Sequence, residues 1–217
     1  MAAILSFDAT GADCSVAVLS GGGTLVARMD PIGRGHSEYL PVMIREVMAF
    51  ANMTPKRLDR IVTTTGPGGF TGVRVGTAYA RGLALALGVP AVGVSGLAVL
   101  AMSAQKAGAR RIAAVHDAKR GDLVLQGFDG DMALGPAERL DQEAAEARLA
   151  EWGDGALVGA GAQLLETAAW PDWGVRRINP IFLGEIGATL DPAAHPARPV
   201  YVRSPDAVPA AQPAPGS

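Results

Sequence analysis

Apolar residues open this chain in short, nearly unbroken runs separated by glycine. Ala3 to Asp8, Cys14 to Leu19 and Thr24 to Met29 are each strand-length. Gly11, and then Gly21, Gly22 and Gly23, lie between them as hairpin material, so the pattern predicts three consecutive buried strands. The period then lengthens. Ser37 to Ala51 carries apolar positions at helical spacing, with Ser37 as the expected N-cap and Glu38 in the first turn. Arg60 to Thr65 reads as a strand, Thr71 to Leu87 as a helix and Ala91 to Val94 as a strand.

The second half repeats this theme more weakly. Arg111 to His116, Leu123 to Phe128 and Met132 to Leu140 predict three strands, and Asp141 to Trp152 predicts a helix of mixed charge. Ala156 to Gly159 reads as a short buried strand, and Gln163 to Ala169 and Ile181 to Leu190 as further helices. Similar element order in two halves of dissimilar sequence predicts a duplicated α/β unit, with subdomains 1–100 and 101–204. The Pro/Ala-rich tail, 205–217, is expected to be disordered. No charged residue occurs from Gly82 to Ala104, a length that invites comparison with a membrane span. Gly88, Pro90, Gly93 and Gly96 interrupt it, which predicts a helix end, a buried strand and a new helix start instead.

Composition narrows the function classes. The 217 residues are 49% hydrophobic and 18% charged, which supports a packed core and excludes global disorder. The formal net charge of -2 lacks the basic surplus of a free-standing nucleic-acid binder. Cys14 is the single cysteine, so no internal disulfide is possible, in keeping with a reducing compartment. The N-terminus lacks a basic start and Asp8 breaks its apolar run, so it does not read as a signal peptide, and a cytoplasmic location is expected.

Three features carry candidate chemistry. The turn Gly66-Pro67-Gly68-Gly69-Phe70-Thr71-Gly72 follows a strand and opens a helix. Backbone N–H groups at such a helix start can hold an anion, which makes Gly68, Gly69 and Thr71 candidate phosphate contacts. No Lys-Ser or Lys-Thr pair closes the turn, so it is not a P-loop, and a tight turn that needs glycine for its backbone angles is the competing explanation. Asp8, at the end of the first strand, is the best single candidate for metal or phosphate chemistry; the alternative is a turn-forming carboxylate bonded to Thr10. The two helices flanking the turn are apolar on more than one face, which means burial within the monomer or a face offered to another subunit. Arg74 and Arg81, seven apart, fall on nearly one stripe of the second helix.

No catalytic constellation accompanies these features. His36, His116 and His195 are far apart, and neither a helical histidine pair nor a GxSxG elbow occurs. Cys14 reads as a small core residue. His116 and Asp117 are adjacent in a strand, so they point to opposite faces.

The motifs together resemble the TsaB (YeaZ-type) family. The resemblance lies in Ile4-Leu5-Ser6-Phe7-Asp8-Ala9-Thr10 with Cys14-Ser15-Val16-Ala17-Val18, in His36-Ser37-Glu38-Tyr39-Leu40-Pro41, and in Gly66 to Gly76 followed by Ala80-Arg81-Gly82-Leu83-Ala84. Val94-Ser95-Gly96-Leu97 and Pro199-Val200-Tyr201-Val202-Arg203 extend it, and it is dense over residues 4–100 and thin over 100–195. It implies an actin-like (ASKHA, sugar-kinase-like) α/β fold of two RNase H-like halves. It also implies a pseudo-enzyme without cofactor or metal. The catalytic paralogue TsaD carries two metal-binding histidines four apart, and their positions fall on Gly96 and Leu100 here.

The family picture is a scaffold subunit that binds TsaD, is joined by the ATPase TsaE, and is needed for threonylcarbamoyl transfer to a tRNA adenosine beside the anticodon. It implies contact through the two helices around the Gly-rich turn. Leu40, Met43, Ile44 and Val47, with Val73, Arg74, Thr77 and Ala80, are the expected contact residues. A homodimer through the same surface is expected when TsaD is absent. Gly96, where serine is commoner, and Leu123-Val124-Leu125, where an aromatic is usual, depart from the family pattern. The alternative function is an actin-fold ATPase or kinase using Asp8 and the Gly66–Gly72 turn.

Overall fold

A computed structural model describes residues 2–21 and 23–201. The expected tail and the last two residues of the C-terminal motif lie outside them.

Two mixed sheets organise the chain. The first is built from β1 (Ile4–Asp8), β2 (Asp13–Ser20), β3 (Gly23–Pro31), β4 (Arg60–Thr64) and β5 (Ala91–Val94), in the order β3-β2-β1-β4-β5. β1, β2 and β3 form an antiparallel meander, while β4 and β5 add in parallel beside β1. Parallel addition requires crossovers, supplied by the helices α1 (His36–Phe50) and α2 (Phe70–Leu87). After α3 (Gly96–Lys106), the second sheet repeats the plan with β6 (Arg111–Lys119), β7 (Asp122–Asp129), β8 (Met132–Ala133), β9 (Glu138–Asp141) and, beyond α4 (Gln142–Trp152), β10 (Ala156–Val158). β10 runs parallel to β6, as β4 does to β1, and a single parallel bridge from Leu157 to Asp172 stands where a fifth full strand would be. The last helix is α5 (Pro180–Thr189). This is the actin-like arrangement of two RNase H-like halves.

Alternation along the strands explains the layers. Leu5, Phe7, Val16, Val18 and Ile61 face α1 and α2, whereas Ile4, Ala17, Val62 and Val92 face α5. α3 lies between the sheets: Leu97, Leu100, Ala101 and Ala104 pack on the second sheet and Val99 on the first. α4 covers the outer face of the second sheet through Ala145 and Leu149. The strands of the two sheets come from 4–94 and 111–158, but the helices do not follow that division, because α5 packs on the first sheet. The charge-free stretch is shared among the end of α2, β5 and α3, and among the described residues no helix is long and apolar enough to cross a membrane.

Three local expectations are corrected. Gln163 to Ala169 is not a helix; one short 3-10 turn, Ala162–Leu164, stands there, and a second turn, in which the Trp170 N–H donates to Thr167 O, then leads to the buried Trp170. The indole N–H of Trp170 donates to the carbonyls of Leu149 and Gly153, so tertiary anchoring overrides local propensity. Met132 to Leu140 is two short strands, β8 and β9, pairing with different stretches of β7. α1 begins at His36, and its N-cap is Gly35 in a left-handed conformation rather than Ser37. Asp117, beside His116 in the strand, accepts from the Lys119 backbone N–H at 2.8 Å and from its ammonium at 2.5 Å. Burial lowers the pKa of His116.

Candidate functional site

The expected anion contacts converge at the C-terminal end of β1, where the Gly-rich turn meets the β1–β2 connection. Asp8 is buried, and its Oδ1 accepts from the Thr10 backbone N–H at 3.2 Å, the Thr10 hydroxyl at 2.7 Å and the Thr64 hydroxyl. Burial raises its pKa, and those hydrogen bonds oppose the rise. The turn-forming role expected as the alternative is therefore made, with Thr64 as an added donor.

The glycines of the turn are explained by close backbone approach. A Cβ on Gly68 would stand 2.6 Å from the Thr10 Cβ and 2.7 Å from its carbonyl oxygen, and one on Gly72 would collide with the Ala9 carbonyl. The Gly69 N–H donates to that Thr10 carbonyl at 2.8 Å, so one donor of the helix start is satisfied inside the chain. Thr71 is exposed on the first turn of α2. Gly66, at φ +107°, leaves room for the C-terminal segment, whose Val200 N–H donates to Thr65 O at 2.9 Å.

The mouth between the sheets is crossed by the segment leading into α5. Ser15 Oγ donates to Ile178 O at 3.3 Å, Arg177 Nε lies 3.2 Å from Asp13 Oδ2, and Ser6 Oγ donates to Pro180 O at 2.6 Å. Ser6 and Asp8 share one face of β1. Asn179 caps α5 by accepting from the Ile181 N–H. Cys14 is buried in β2, and burial pushes its thiol up to about 12, which leaves no thiolate for chemistry near neutral pH.

The expected contact residues divide differently from the reading of the sequence. Leu40, Met43, Ile44 and Val47 are at most 4% exposed and point into the first sheet. Val73, Thr77 and Ala80 are likewise buried against the chain's own core, and Thr77 donates to Val73 O within α2. These seven side chains hold the monomer together and are not available to a partner. Arg74 alone of the eight is exposed.

The outward stripes lie one residue over. On α1 they present Glu38, Val42, Arg45, Ala49 and Phe50; on α2, Phe70, Arg74, Ala78, Arg81, Gly82 and Leu85. Phe50 is 78% and Leu85 86% exposed. An open depression of about 490 Å³ is formed by Ala78, Arg81, Gly82, Ala84, Leu85 and Ala91. Arg74 is held at its edge: the guanidinium carbon sits 3.6 Å over the Phe70 ring, and Nε donates to the Tyr201 hydroxyl at 2.7 Å. The sequence contained the signal for this face. Leu40, Met43, Ile44, Val47 and Met48 are spaced i, i+3, i+4, i+7, i+8, the stripe that packs on a sheet, and Val42 and Phe50 are large apolar residues that fall outside it.

A second open depression, of about 620 Å³, lies at the far end of the second sheet near Arg110, Arg111, Asp129, Asp154 and Trp173, and contains none of the expected site residues.

Comparison with known proteins agrees with this architecture. The profile of the TsaD family, tRNA N6-adenosine threonylcarbamoyltransferase, matches residues 31–150. The tRNA threonylcarbamoyladenosine biosynthesis protein TsaB of Escherichia coli is 31% identical over 212 residues, spanning 91% of this chain and 84% of its own. A tRNA N6-adenosine threonylcarbamoyltransferase of Jannaschia sp. is 45% identical over 65 residues, 30% of this chain and 18% of that protein. The solved structure of YeaZ from Pseudomonas aeruginosa superposes with a TM-score of 0.76 at 26% identity, covering 93% of this chain and 100% of that one. With Asp8, the Gly-rich turn and the two sheets in place, the chain belongs to the TsaB (YeaZ) family of tRNA threonylcarbamoyladenosine biosynthesis proteins.

Proposed function

We propose that this protein is a non-catalytic subunit in tRNA threonylcarbamoyladenosine biosynthesis, which docks on TsaD through the outward faces of α1 and α2. TsaE joins the pair, and the assembly transfers threonylcarbamoyl to the tRNA adenosine beside the anticodon. The observation that carries this reading is the outward face itself. Phe50 and Val42 on α1 and Leu85 and Ala78 on α2 are exposed, the last two lining the depression at Gly82, on helices whose opposite faces already form the core. An apolar face rimmed by arginines on a monomer is the anatomy of a protein interface. The match of the TsaD profile to this chain supports the choice of partner. A paralogue of the same fold has a corresponding helix pair, so the two chains can meet about a pseudo-twofold axis.

The rival reading, an ATPase or kinase built on Asp8 and the Gly-rich turn, has less support. Asp8 is engaged by Thr10 and Thr64 and the Gly69 N–H by Thr10, and the segment from Arg177 to Pro180 is bonded to Asp13, Ser15 and Ser6 of the neighbouring strands. The test is reconstituted tRNA threonylcarbamoylation with TsaD, TsaE and the adenylate-forming enzyme, with and without this chain. Dependence on the chain, lost in Phe50→Asp with Leu85→Asp and retained in Asp8→Asn, is the expected result. Loss of modification in Asp8→Asn with an intact complex would restore the enzyme reading.

A further inference from the structure

The open depression of about 620 Å³ at the far end of the second sheet takes no lining residue from α1 or α2. Its apolar lining is mostly small, Ala109, Ala156 and Ala169 among it, and Trp173 is the one large ring. Trp173 is 42% exposed, while Trp170 is buried and Trp152 half-buried. Its backbone is fixed. The Gly155 N–H donates to Ala169 O at 3.1 Å, the Leu157 N–H to Pro171 O at 2.9 Å and the Trp173 N–H to Leu157 O at 3.0 Å, so 169–173 runs along β10 like a further strand. Alternation places Ala169, Pro171 and Trp173 on the depression and turns Trp170 the other way into the core. Asp172 accepts from the Gly174 N–H at 2.9 Å and pairs with Arg176, which ties down the next turn. The indole is therefore offered on a rigid support, and little entropy is lost when something stacks on it.

Three charged side chains of the same depression have hydrogen-bonding capacity to spare. Asp154, in the turn before β10, is exposed, and among the described residues its carboxylate has no hydrogen bond or ion pair. Arg110 donates from Nε to Asp129 Oδ1 at 3.2 Å, and Arg111 from Nη1 to Trp152 O at 2.9 Å. Each guanidinium is thus held at one nitrogen and keeps further N–H groups for a ligand. A ring to stack on, a lone carboxylate and two anchored guanidinium forks answer the three parts of a nucleotide: base, exocyclic amine and phosphate. The centre of a protein interface asks instead for several large apolar side chains, and this lining has one. We infer that the depression binds one unstacked nucleotide, with its base on Trp173, an exocyclic amine donating to Asp154 and its phosphate on Arg110 and Arg111. Arg110 and Arg111 against Asp129 and Asp154 leave the lining without net charge, so the base and not the backbone charge carries the selectivity. A free mononucleotide and an unpaired nucleotide of an RNA strand offer the same chemistry.

The test is a nitrogen–proton NMR titration of the full chain with AMP, UMP, adenosine, ribose phosphate and single-stranded oligoadenylate. The Trp173 indole N–H reports on the site, and that of Trp170, bonded to Leu149 O and Gly153 O, reports on the intact fold. The Trp173 signal is expected to move with AMP and with oligoadenylate and to stay in place with ribose phosphate. UMP, which lacks the amine, is expected to bind about fivefold more weakly than AMP, and Asp154→Ala to erase that preference. Trp173→Ala, followed on the Gly155 amide, is expected to weaken AMP about tenfold or more. Arg110→Gln, at a side chain 86% exposed, is expected to weaken AMP about threefold and leave adenosine unchanged. Oligoadenylate bound about tenfold more tightly than AMP assigns the site to RNA, and equal or weaker binding assigns it to the free mononucleotide. A Trp173 signal unmoved by both at about 10 mM overturns the inference, as does AMP binding indifferent to Trp173→Ala or to Arg110→Gln. A signal that moves with TsaD and with neither nucleotide overturns it too, by making the depression a protein contact. None of these results touches the reading of α1 and α2, which stands or falls by its own reconstitution.

Discussion

Gly72→Ala decides between the two readings of the Gly-rich turn. Gly72 lies in the first turn of α2, and a Cβ there would collide with the Ala9 carbonyl oxygen while standing 3.0 Å from its carbon and 3.3 Å from Thr10 Cα. All three atoms are backbone, so no side-chain rotation relieves the clash and α2 must move off the β1–β2 connection. Overpacking of this kind costs about 1–3 kcal/mol and sometimes more. The better helix propensity of alanine returns about 1 kcal/mol. A contact with rigid backbone belongs at the upper end of the range, so the expected net loss is about 2 kcal/mol, a fall in Tm of about 4–8 °C for a chain of this size. Gly82, in the same helix, is the internal control. A Cβ on it meets nothing within 4 Å. Gly82→Ala is therefore expected to stabilise the chain by about 0.5–1 kcal/mol. It also fills part of the depression on the partner face, so TsaD binding should weaken as stability rises. Urea unfolding followed by circular dichroism, with equal m-values as the check on two-state behaviour, measures both variants. If Gly72→Ala unfolds within about 0.5 kcal/mol of the parent chain, the close backbone approach does not constrain the fold, and the ligand explanation of these glycines returns.

Leu40→Ala is expected to cost about 2–5 kcal/mol of stability, since Leu40 is fully buried, whereas Phe50→Asp should leave stability within about 0.5 kcal/mol and abolish TsaD binding. Thermal unfolding and pull-down on the same two proteins check this, and a reversed pattern returns the contact to the inward face. The pKa of Asp8 is raised by burial, so its protonated form favours the fold. Its contribution to stability is fully present below the unfolded value near 3.8 and is lost as pH rises through the higher folded value. Asp8→Asn, which keeps the acceptor for Thr10 and Thr64, should therefore match or exceed the parent chain in stability at pH 7 and lose that advantage toward pH 4; a variant clearly less stable at pH 7 overturns the reasoning. Arg60 donates from Nη1 to the carbonyls of Gly187 and Leu190 at 2.5 and 2.8 Å, closing the end of α5, and Arg60→Met is expected to cost about 1–3 kcal/mol in urea unfolding.

The parts of this fold that were legible in the sequence are those set by local periodicity. Strand-length apolar runs between glycines marked β1, β2 and β3, and helical spacing marked α1, α2 and α4, because period and turn chemistry are written within each segment. The failures share a cause at longer range. Gln163 to Ala169 has helical propensity, but the chain continues to Trp170, whose indole closes the end of α4. α5 packs against β1, β2 and β4, although more than a hundred residues of chain lie between it and those strands, and no local pattern states which sheet it covers. The candidate site shows the same split. Asp8 and the glycines were found from residue type and position, but whether a turn is open to a ligand depends on what the rest of the chain places against it, here Thr10, Thr64 and Val200. The burial of seven of the eight expected contact residues has a different cause. The i, i+3, i+4, i+7 spacing of Leu40, Met43, Ile44 and Val47 is the pattern of a stripe packed on a sheet, and the same residues cannot also face outward.

These placements bear on why the two faces of one fold differ in what they can bind. Ligands of open α/β sheets sit at the C-terminal ends of the strands, which in this chain is the region of Asp8, Thr64 and the Gly-rich turn. Several of the polar groups there already have partners in the chain. The Asp8 carboxylate has three donors, the Gly69 N–H has the Thr10 carbonyl, and Ser6 and Ser15 hold the segment into α5. A ligand entering would have to replace several buried hydrogen bonds, and each one left unmade costs about 1–3 kcal/mol. Docking on α1 and α2 replaces nothing. Phe50 and Leu85 are already in water, and covering side chains of this size contributes about 1.5–3 kcal/mol each. The energetic asymmetry between hydrogen bonds that must be replaced at the strand ends and apolar side chains already in water on the helices argues for the helix face as the easier of the two surfaces to cover.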